Sequence, residues 1–402
     1  MNKNLSMQHC CPVCRSKNVE EYIHTKLSTF FFPLPENLVR KAKPEPIKLN
    51  ICNNCSFIFQ VDVKNHLIEL IYNEFYKHYN LDTSVEFQEV YRERTIDFMN
   101  EVVPNKLIDS KALDLGCGEG TYFPFFEKLG FECYGIEPSE KAKIAKLKNP
   151  NSTISSKFFS DLEPDELDFK FDVILMNWVL EHILGLDSLF DKLIMRLNNK
   201  GRLIIQVPDM EYYFNNDLPL FYVHEHINSF TLETLEVLLK NKGFKIIGTK
   251  VGGCPSILVC AEYTGIVEEQ NFDNTSLVIK QKSFHLSNNE LKAEIIKSIS
   301  KYEKIVFYGT GLLAYWIGSM CISEKDMHKV ELIDDNEFYK NKFTTVFLKK
   351  IKEFPIGHCF DNTLIIIGAS PVYHDKIKGI INKKYVGNYK VASVKNNSLT
   401  IE

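Results

Sequence analysis

The most constraining feature of the chain is an apolar run that ends in a carboxylate and three alternating glycines, at residues 111–120 (KALDLGCGEG). This pattern predicts a buried strand that runs into a tight loop and then into a helix. Glycine at positions 116, 118 and 120 lets the backbone turn sharply and lets a ligand touch the main chain. The amides at the start of the helix would then face a polar ligand.

A second strand is predicted at 132–137, and it ends in Glu137, about 20 residues after the glycine loop, where an acid can accept two ribose hydroxyls. The run Leu-Asp-Leu-Gly-Cys-Gly-x-Gly resembles motif I of class I S-adenosylmethionine-dependent methyltransferases. The alternative is a structural glycine turn that binds no ligand. The resemblance implies that this cofactor is held by Asp114, Gly116, Cys117, Gly118, Gly120, Glu137 and Asn177.

Length and charge bound the remaining possibilities. The 402 residues suffice for two or three domains. A formal net charge of −4 gives no indication of a nucleic-acid partner or of an anionic membrane. The sequence has no apolar run of about 18 residues, and its first residues lack the apolar core of a signal peptide. We therefore expect a protein without membrane or nucleic-acid partners.

The eleven cysteines favour metal binding over disulfides. Four of them form two Cys-x-x-Cys pairs, Cys11 with Cys14 and Cys52 with Cys55, and two such pairs complete the tetrahedral sulfur shell that zinc prefers. Four protein ligands leave no open position, so the predicted zinc is structural. The paired layout also favours a reduced, cytoplasmic protein.

Aromatic residues are dense just before the glycine motif. Tyr72, Phe75, Tyr76 and Tyr79 share one helical face. This face is either a packing stripe or a means of bringing the hydroxyl of Tyr76 or Tyr79 to a substrate. A helix is predicted next, over 85–103.

From residue 111 onward, strands and helices alternate, which predicts an α/β fold with a mostly parallel sheet covered on both faces. Seven strands with a final hairpin-like pair fit the Rossmann-like fold of class I methyltransferases. The predicted strands are 111–115, 132–137, 153–158, 171–177, 201–207, 244–251 and 257–263, and the predicted helices include 188–198 and 232–242. Thr231 is the predicted N-cap of the second of these helices, and Gly243 ends it.

The sequence predicts three domains. Residues 1–84 form the zinc-binding domain, 85–265 the methyltransferase domain, 266–288 a polar linker, and 289–402 a small second Rossmann-like domain. In the last domain, a strand runs into Gly309-Thr310-Gly311, and the next strand ends at Asp334. This loop is either a nucleotide-binding loop or a tight turn without a ligand.

Two groups of titratable residues follow strands of the central sheet. In open parallel sheets the site lies beyond the carboxyl ends of the strands, so Asn177 to His182 are expected near the reacting methyl group. His182 is either an acid or base or, with Glu181, a brace for the loop. Tyr222 and the cluster His224-Glu225-His226 form an acid/base group, a metal site or a structural lid.

The order of these features resembles the zinc-containing sugar C-methyltransferases of deoxysugar pathways, over nearly the whole chain. The resemblance implies methylation of a nucleotide-linked 4-keto sugar at the adjacent carbon, through an enolate that attacks the methyl of S-adenosylmethionine. It also implies that His226 is the base and that Glu225, His224, Tyr76 and His182 surround the sugar. The family has tyrosine directly before its His-Glu-His, whereas this chain has Val223 there and Tyr222 one residue earlier.

Three other functions remain open at the level of sequence. One is a sugar or small-molecule O-methyltransferase. Another is a zinc-ribbon ribosomal RNA methyltransferase, although RNA binding usually requires a basic surface and the net charge is −4. The third is a binding protein that retains two nucleotide folds without catalysis.

Overall fold

The computed structural model describes residues 10–78, 85–103, 109–161, 169–216, 222–267 and 274–402. Within these residues the strands form three sheets, of four, seven and five strands. The sheets belong mainly to the N-terminal, central and C-terminal parts of the chain. No helix of the described segments combines the length and the apolar character needed to cross a membrane.

The N-terminal part is an antiparallel sheet followed by short helical turns. Its elements are β1 (Val19–Ser28), α1 (Glu36–Val39), β2 (Pro44–Cys52), β3 (Ile58–Val61), α2 (Asn65–Leu70), a π-helix (Ile71–Phe75) and a 3-10 turn (Tyr76–His78). Apolar side chains on this sheet pack in two directions. Ile47, Leu49 and Ile51 join the core of the C-terminal part, whereas Phe57 and Phe59 join the core of the central sheet. The N-terminal sheet is therefore buried between the other two parts and contributes to both of their cores.

The central part has the predicted strand and helix alternation. Its elements are α3 (Val85–Val102), β4 (Lys111–Leu115), α4 (Phe123–Lys128), β5 (Glu132–Ile136), α5 (Lys141–Lys148), β6 (Thr153–Ser155), β7 (Phe171–Asn177), α6 (Leu186–Arg196), β8 (Leu197–Pro208), α7 (Met210–Asn215), β9 (Asn228–Ser229), α8 (Leu232–Asn241), β10 (Phe244–Lys250) and β11 (Ser256–Tyr263). The sheet order is β10-β11-β8-β7-β4-β5-β6, with β11 antiparallel to both of its neighbours. The predicted fold class is confirmed.

Two details of the central part concern the ends of its helices. Thr231 caps α8 through a capping box with Thr234, and Gly243 follows that helix with a φ of +77°, so both predicted signals are confirmed. Strand β9 leaves the central sheet and pairs with β3 instead. The segment that carries the His-Glu-His cluster is thereby fixed to the N-terminal sheet.

The C-terminal part is a five-stranded sheet in the order β13-β12-β14-β15-β16. Its elements are α9 (Thr275–Ile299), β12 (Lys304–Tyr308), α10 (Leu312–Cys321), β13 (Val330–Ile333), β14 (His358–Ile367), α11 (His374–Lys384), β15 (Tyr385–Lys395) and β16 (Ser398–Ile401). The predicted Rossmann-like arrangement appears in β12, β13 and β14, which are parallel to one another.

The predicted polar linker at 266–288 is wrong over 275–288, where the structure has the first half of α9. Gln281 and Asn288 are only 1% and 7% exposed, because this half of the helix packs against the other parts of the molecule. Tyr22 of β1, for example, donates a hydrogen bond to the Gln281 carbonyl at 2.9 Å. The polar composition of this segment predicts a linker, whereas contacts with the rest of the molecule bury it as a helix.

Candidate active site

The glycine loop after β4 has the geometry that its sequence predicts. Gly116, Gly118 and Gly120 all have positive φ angles, of +79°, +53° and +79°. The amides of Gly116 and Cys117 donate to the carbonyl of Ile136 at 2.8 and 3.1 Å, which holds the loop over the end of β5. The glycines at 116, 118 and 120 are required because side chains rarely adopt this conformation.

Glu137 closes the loop from the neighbouring strand. One carboxylate oxygen accepts from the Gly118 amide at 2.9 Å, and the other accepts from the Ser139 amide at 2.9 Å. The side chain is nearly buried. The acid therefore has a fixed orientation at the carboxyl end of β5.

Two buried acceptors at the ends of neighbouring strands have no partner within the described part of the chain. Neither carboxylate oxygen of Asp114 accepts a hydrogen bond, and neither does the side-chain oxygen of Asn177. Burial, with a smaller contribution from the charge of Glu137, raises the pKa of Asp114 to about 8. A Cβ placed on Gly118 would meet no atom within 4 Å. Unused acceptors beside open space fit a ligand that carries donors and positive charge.

A second cluster lies beyond the end of β7, and it joins three separate segments of the chain. Tyr76 donates to the Glu225 carboxylate at 2.9 Å. The His182 and His226 rings meet edge to face, with centroids 5.0 Å apart, and Tyr72 lies edge-on to His182 at 6.1 Å. The structure thus brings together four of the predicted catalytic residues, His226, Glu225, His182 and Tyr76.

The tautomer of His182 follows from its hydrogen bond. Its Nδ1 lies 2.9 Å from the carbonyl oxygen of Glu225, and because a carbonyl only accepts, Nδ1 carries the proton. The other ring nitrogen, Nε2, then has a lone pair, and it lies 3.7 Å from Glu181 Oε1. Glu181 is 1% exposed, and its second oxygen has no partner in the described residues.

Burial dominates the electrostatics of this cluster, because desolvation disfavours every charged form. It raises the pKa of Glu181 to about 8, and it raises that of Glu225 to about 7 against the opposing hydrogen bond from Tyr76. It lowers the pKa of His182 to about 4 and holds the pKa of His226 well below its usual range, with a further contribution from His182. Both imidazoles are therefore neutral at pH 7, and desolvation makes each of them a weaker base than a free histidine.

Gln60 of β3, which no sequence pattern singles out, positions this cluster. Its buried side-chain amide lies 3.1 to 3.4 Å from the carbonyl oxygens of Val223, His224 and His226. Its backbone amide donates to the Ile227 carbonyl at 2.8 Å. A lone glutamine in a strand gives no local signal of this role, because all of its partners are distant in sequence.

Two predicted site residues, His224 and Tyr222, lie elsewhere. The His224 ring nitrogen Nε2 is 3.1 Å from the carbonyl oxygen of Leu27 in β1. The Tyr222 ring is edge-on to Tyr22 with centroids 6.5 Å apart, within the core shared with the C-terminal part. None of their described contacts reaches His182 or His226, so a role beside the base remains a prediction. Tyr79, the alternative hydroxyl, lies outside the described residues.

The four paired cysteines converge as predicted. The sulfur atoms of Cys11 and Cys55, and those of Cys14 and Cys52, are each 3.5 Å apart, and all four could hold one ion. Zinc–sulfur bonds of about 2.3 Å place tetrahedral sulfurs about 3.8 Å apart, so the donor set fits zinc. Asn241 of α8 donates to the Val13 carbonyl at 3.0 Å, which ties this cluster to the central part.

Comparison with known families now decides the class of the central part. Residues 87–249 match the family model of a methyltransferase domain. This match covers the central part of the chain and bears out the predicted methyltransferase domain there. The expectation of a methyltransferase enzyme is thus confirmed, while the zinc-containing sugar subfamily is not tested by this match.

Individual relatives of the methyltransferase domain are distant. Over 99 residues, the chain is 29% identical to a ubiquinone biosynthesis O-methyltransferase of Nitrobacter winogradskyi, a match that covers 24% of this chain and 38% of the relative. A magnesium protoporphyrin IX methyltransferase from Synechocystis PCC 6803, solved with bound S-adenosylmethionine, is 16% identical, with 50% of this chain and 96% of that chain covered and a TM-score of 0.37. A protein from Pyrococcus horikoshii OT3, PH0226, is 22% identical, with 48% and 99% covered and a TM-score of 0.38.

Proposed function

We propose that the protein is a cytoplasmic enzyme that methylates a carbon next to a ketone in a nucleotide-linked sugar. The observation that carries the proposal is the partly buried cluster beyond β7, where Tyr76 donates a hydrogen bond to Glu225 and the His226 ring contacts that of His182. A carbon next to a ketone must lose its proton to a base before it can attack the methyl group. A hydroxyl oxygen already has lone pairs and depends less on a base. The order of cysteine pairs, glycine loop and His-Glu-His cluster, which resembles the sugar C-methyltransferases, supports the choice of substrate.

The residues of the glycine loop would hold the cofactor. Glu137 is oriented for the ribose, and Asp114 and Asn177 offer their unused oxygens to its other polar groups. When bound, S-adenosylmethionine supplies an electrophilic methyl group on a sulfonium. The absence of a Cβ at position 118 leaves room for close approach of a ligand to the main chain.

His226 would be the base. Its neutral imidazole accepts the proton from the carbon next to the ketone, and the C–H electron pair delocalises into the enolate of the sugar. That pair would then be available to take the methyl group that bound S-adenosylmethionine supplies, with the sulfonium sulfur as the leaving group. Glu225, with its pKa near 7 and a hydrogen bond from Tyr76, can take up or release a proton beside the enolate oxygen.

A small-molecule O-methyltransferase is the second candidate. The match to the ubiquinone biosynthesis O-methyltransferase favours it, but the chain spans only 38% of the length of that curated relative. An oxygen acceptor would use the same base to remove a hydroxyl proton.

Exchange of a carbon-bound proton separates the two candidates. We expect wild-type protein with S-adenosylhomocysteine to exchange the proton next to the ketone of a nucleotide 4-keto sugar with deuterated water, as read by mass spectrometry. His226→Ala should abolish this exchange and reduce turnover by about 10²- to 10⁴-fold, with unchanged cofactor affinity. His24→Ala, at an exposed position on β1, is the matched control. Wild-type protein that methylates the sugar without any exchange would favour oxygen transfer.

We further propose that Cys11, Cys14, Cys52 and Cys55 bind one structural zinc ion. The burial of three of these thiols and their mutual distances support it. Cys52→Ser should lower the zinc content and the melting temperature together, because metal binding contributes directly to folding free energy. Elemental analysis beside thermal unfolding measures both. A stable wild-type protein that contains no metal would contradict the proposal.

A further inference from the structure

We propose that Glu181, His182 and His226 form a second metal site, which binds a first-row divalent cation such as Zn²⁺ or Co²⁺ and is separate from the four-cysteine cluster. At the level of sequence, the metal alternative concerned the adjacent residues His224, Glu225 and His226. The fold supplies a different set. It sends His224 to β1 and brings Glu181 and His182 from the loop after β7.

The distances suit a single ion. One ligand atom from each of the three residues lies within 4.8 Å of the others, and Glu181 Oε1 is 3.7 Å from His182 Nε2. Metal bonds of about 2.0–2.2 Å to nitrogen and oxygen place neighbouring ligand atoms roughly 3–3.5 Å apart. A small inward movement of these side chains would therefore close the site around an ion.

The lone pairs also point to a cation. The hydrogen bond from His182 Nδ1 to the Glu225 carbonyl leaves Nε2 as an acceptor that faces a carboxylate oxygen. Imidazole ligands of metals commonly donate their other N–H to a carbonyl in this way, which fixes the ring and its tautomer. The second oxygen of Glu181 is buried and has no partner in the described residues. A cation between the facing oxygen of Glu181 and nitrogen of His182 would satisfy both atoms in this partly buried cluster, in place of the proton that burial retains on Glu181 at pH 7.

The ligand types select the metal and define its effect. Two imidazoles and one carboxylate favour zinc and its neighbours in the first transition series over magnesium or calcium, which prefer oxygen ligands. A bound cation would occupy the lone pair of His226. The effect of the cation on catalysis rests on the proposed function, in which His226 is the base. In that case His226 cannot bind the metal and accept the substrate proton at the same time. The cation would therefore inhibit the enzyme.

Cobalt titration of the wild-type protein, with zinc retained in the four-cysteine cluster, tests the site without any need for activity. Cobalt bound to thiolates gives intense charge-transfer absorption, whereas cobalt bound to histidine and carboxylate gives only weak ligand-field bands. We expect one further equivalent of Co²⁺ with ligand-field bands alone. Failure to bind this equivalent, or its appearance with thiolate bands, would overturn the proposal, and this outcome needs no variant.

Two variants locate the ion. Glu181→Gln and His182→Gln should each weaken this cobalt binding by more than about 100-fold, and His24→Gln should leave it unchanged. Unchanged binding in either ligand variant, with its zinc content intact, would place the ion elsewhere and refute the assignment. Inhibition of α-proton exchange by Co²⁺, in proportion to occupancy, is measured separately. Absence of exchange in wild-type protein that retains zinc in the four-cysteine cluster but has no metal at Glu181, His182 and His226 would contradict the proposed function and leave the metal titration valid.

Discussion

Two units of this protein consist of a strand, a glycine loop and a helix, and in each an acid follows the next strand: Glu137 in the first unit and Asp334 in the second. The two acids are oriented in the same way. In the methyltransferase domain, Glu137 accepts from the Gly118 amide and from the amide two residues after itself, both at 2.9 Å. In the C-terminal part, Asp334 accepts from the Thr310 amide at 2.7 Å and from the amide two residues after itself at 2.9 Å. The acid therefore organises the loop in both units.

The two loops differ in the space around them. A Cβ on Gly118 would meet nothing within 4 Å, whereas a Cβ on Gly309 would lie 3.1 Å from Ala369, and one on Gly368 would lie 2.2 Å from the Gly309 carbonyl oxygen. The Thr310 hydroxyl also donates to Asp334, at 2.7 Å. Glycine leaves room for a ligand at position 118, whereas a Cβ on Gly116 or Gly120 would meet Val179 or Asn149 at 2.5 or 2.3 Å, so close packing occurs in both loops. The second loop fits the tight-turn alternative.

Replacement of Glu137 and Asp334 by their amides should show the largest functional difference between the two units. Glu137→Gln should weaken S-adenosylmethionine binding by about 10- to 100-fold, because charge-assisted hydrogen bonds contribute roughly 1.5–3 kcal/mol each. Asp334→Asn should leave this affinity unchanged. Calorimetric titration of both variants measures the difference. Equal losses in the two would show that the second unit also contributes to cofactor binding.

Alanine substitutions should affect mainly cofactor affinity at Gly118 and mainly stability at Gly309. Gly118→Ala should reduce cofactor affinity by about tenfold, or 1.4 kcal/mol, with a stability loss of only about 1–2 kcal/mol for its left-handed backbone. Gly309→Ala should lower stability by about 2–5 kcal/mol, because its backbone is also left-handed, with a φ of +87°, and Ala369 is already in contact; it should leave cofactor affinity unchanged. Urea unfolding and calorimetry test both. Reduced cofactor affinity in Gly309→Ala would contradict this division of roles.

The strands and the glycine loop could be predicted from sequence because their signals are local. Apolar runs, glycines at fixed offsets and the cap at Thr231 all act over a few residues, and the structure has each of them. The convergence of the two cysteine pairs could be predicted in the same way, although the pairs are far apart in the chain. The Cys-x-x-Cys spacing itself predicts that the two thiols of each pair can bind one ion.

The arrangement of the catalytic cluster could not be predicted in full, because it depends on contacts between distant segments. The three adjacent residues His224, Glu225 and His226 looked equivalent in sequence, yet strand pairing of β3 with β9 turns His224 toward β1 and Glu225 toward Tyr76. Gln60 gave no local signal of its role, and Glu181 was predicted only as a brace for the loop after β7. Helix α9 was partly missed because its polar residues Gln281 and Asn288 are buried by other parts of the chain.

The buried acids of the two units also differ in their hydrogen bonds, and this difference predicts a pH effect. Burial raises the pKa of both Asp114 and Asp334. Asp334 is partly compensated by bonds from Thr310 and Asn336, whereas Asp114 accepts none in the described residues and has a pKa of about 8. Asp114 is therefore mostly protonated at pH 6.5 and ionised above pH 8.

S-adenosylmethionine carries one positive charge more than S-adenosylhomocysteine, so the ratio of their affinities reports the charge of nearby groups. If Asp114 lies at the cofactor, this ratio should rise by about three- to tenfold in favour of S-adenosylmethionine between pH 6.5 and pH 9, since each 1.36 kcal/mol corresponds to tenfold. The shared carboxyl group stays ionised over this range, but the sulfonium lowers the pKa of the amino group in S-adenosylmethionine, so the ratio retains some dependence on pH from the ligands themselves. Asp114→Asn should reduce the dependence to this contribution, and Asp334→Asn should leave the wild-type dependence intact. A wild-type dependence no larger than that of Asp114→Asn would mean that the Asp114 carboxyl does not face the sulfonium, and its unused oxygens would then need a different ligand group.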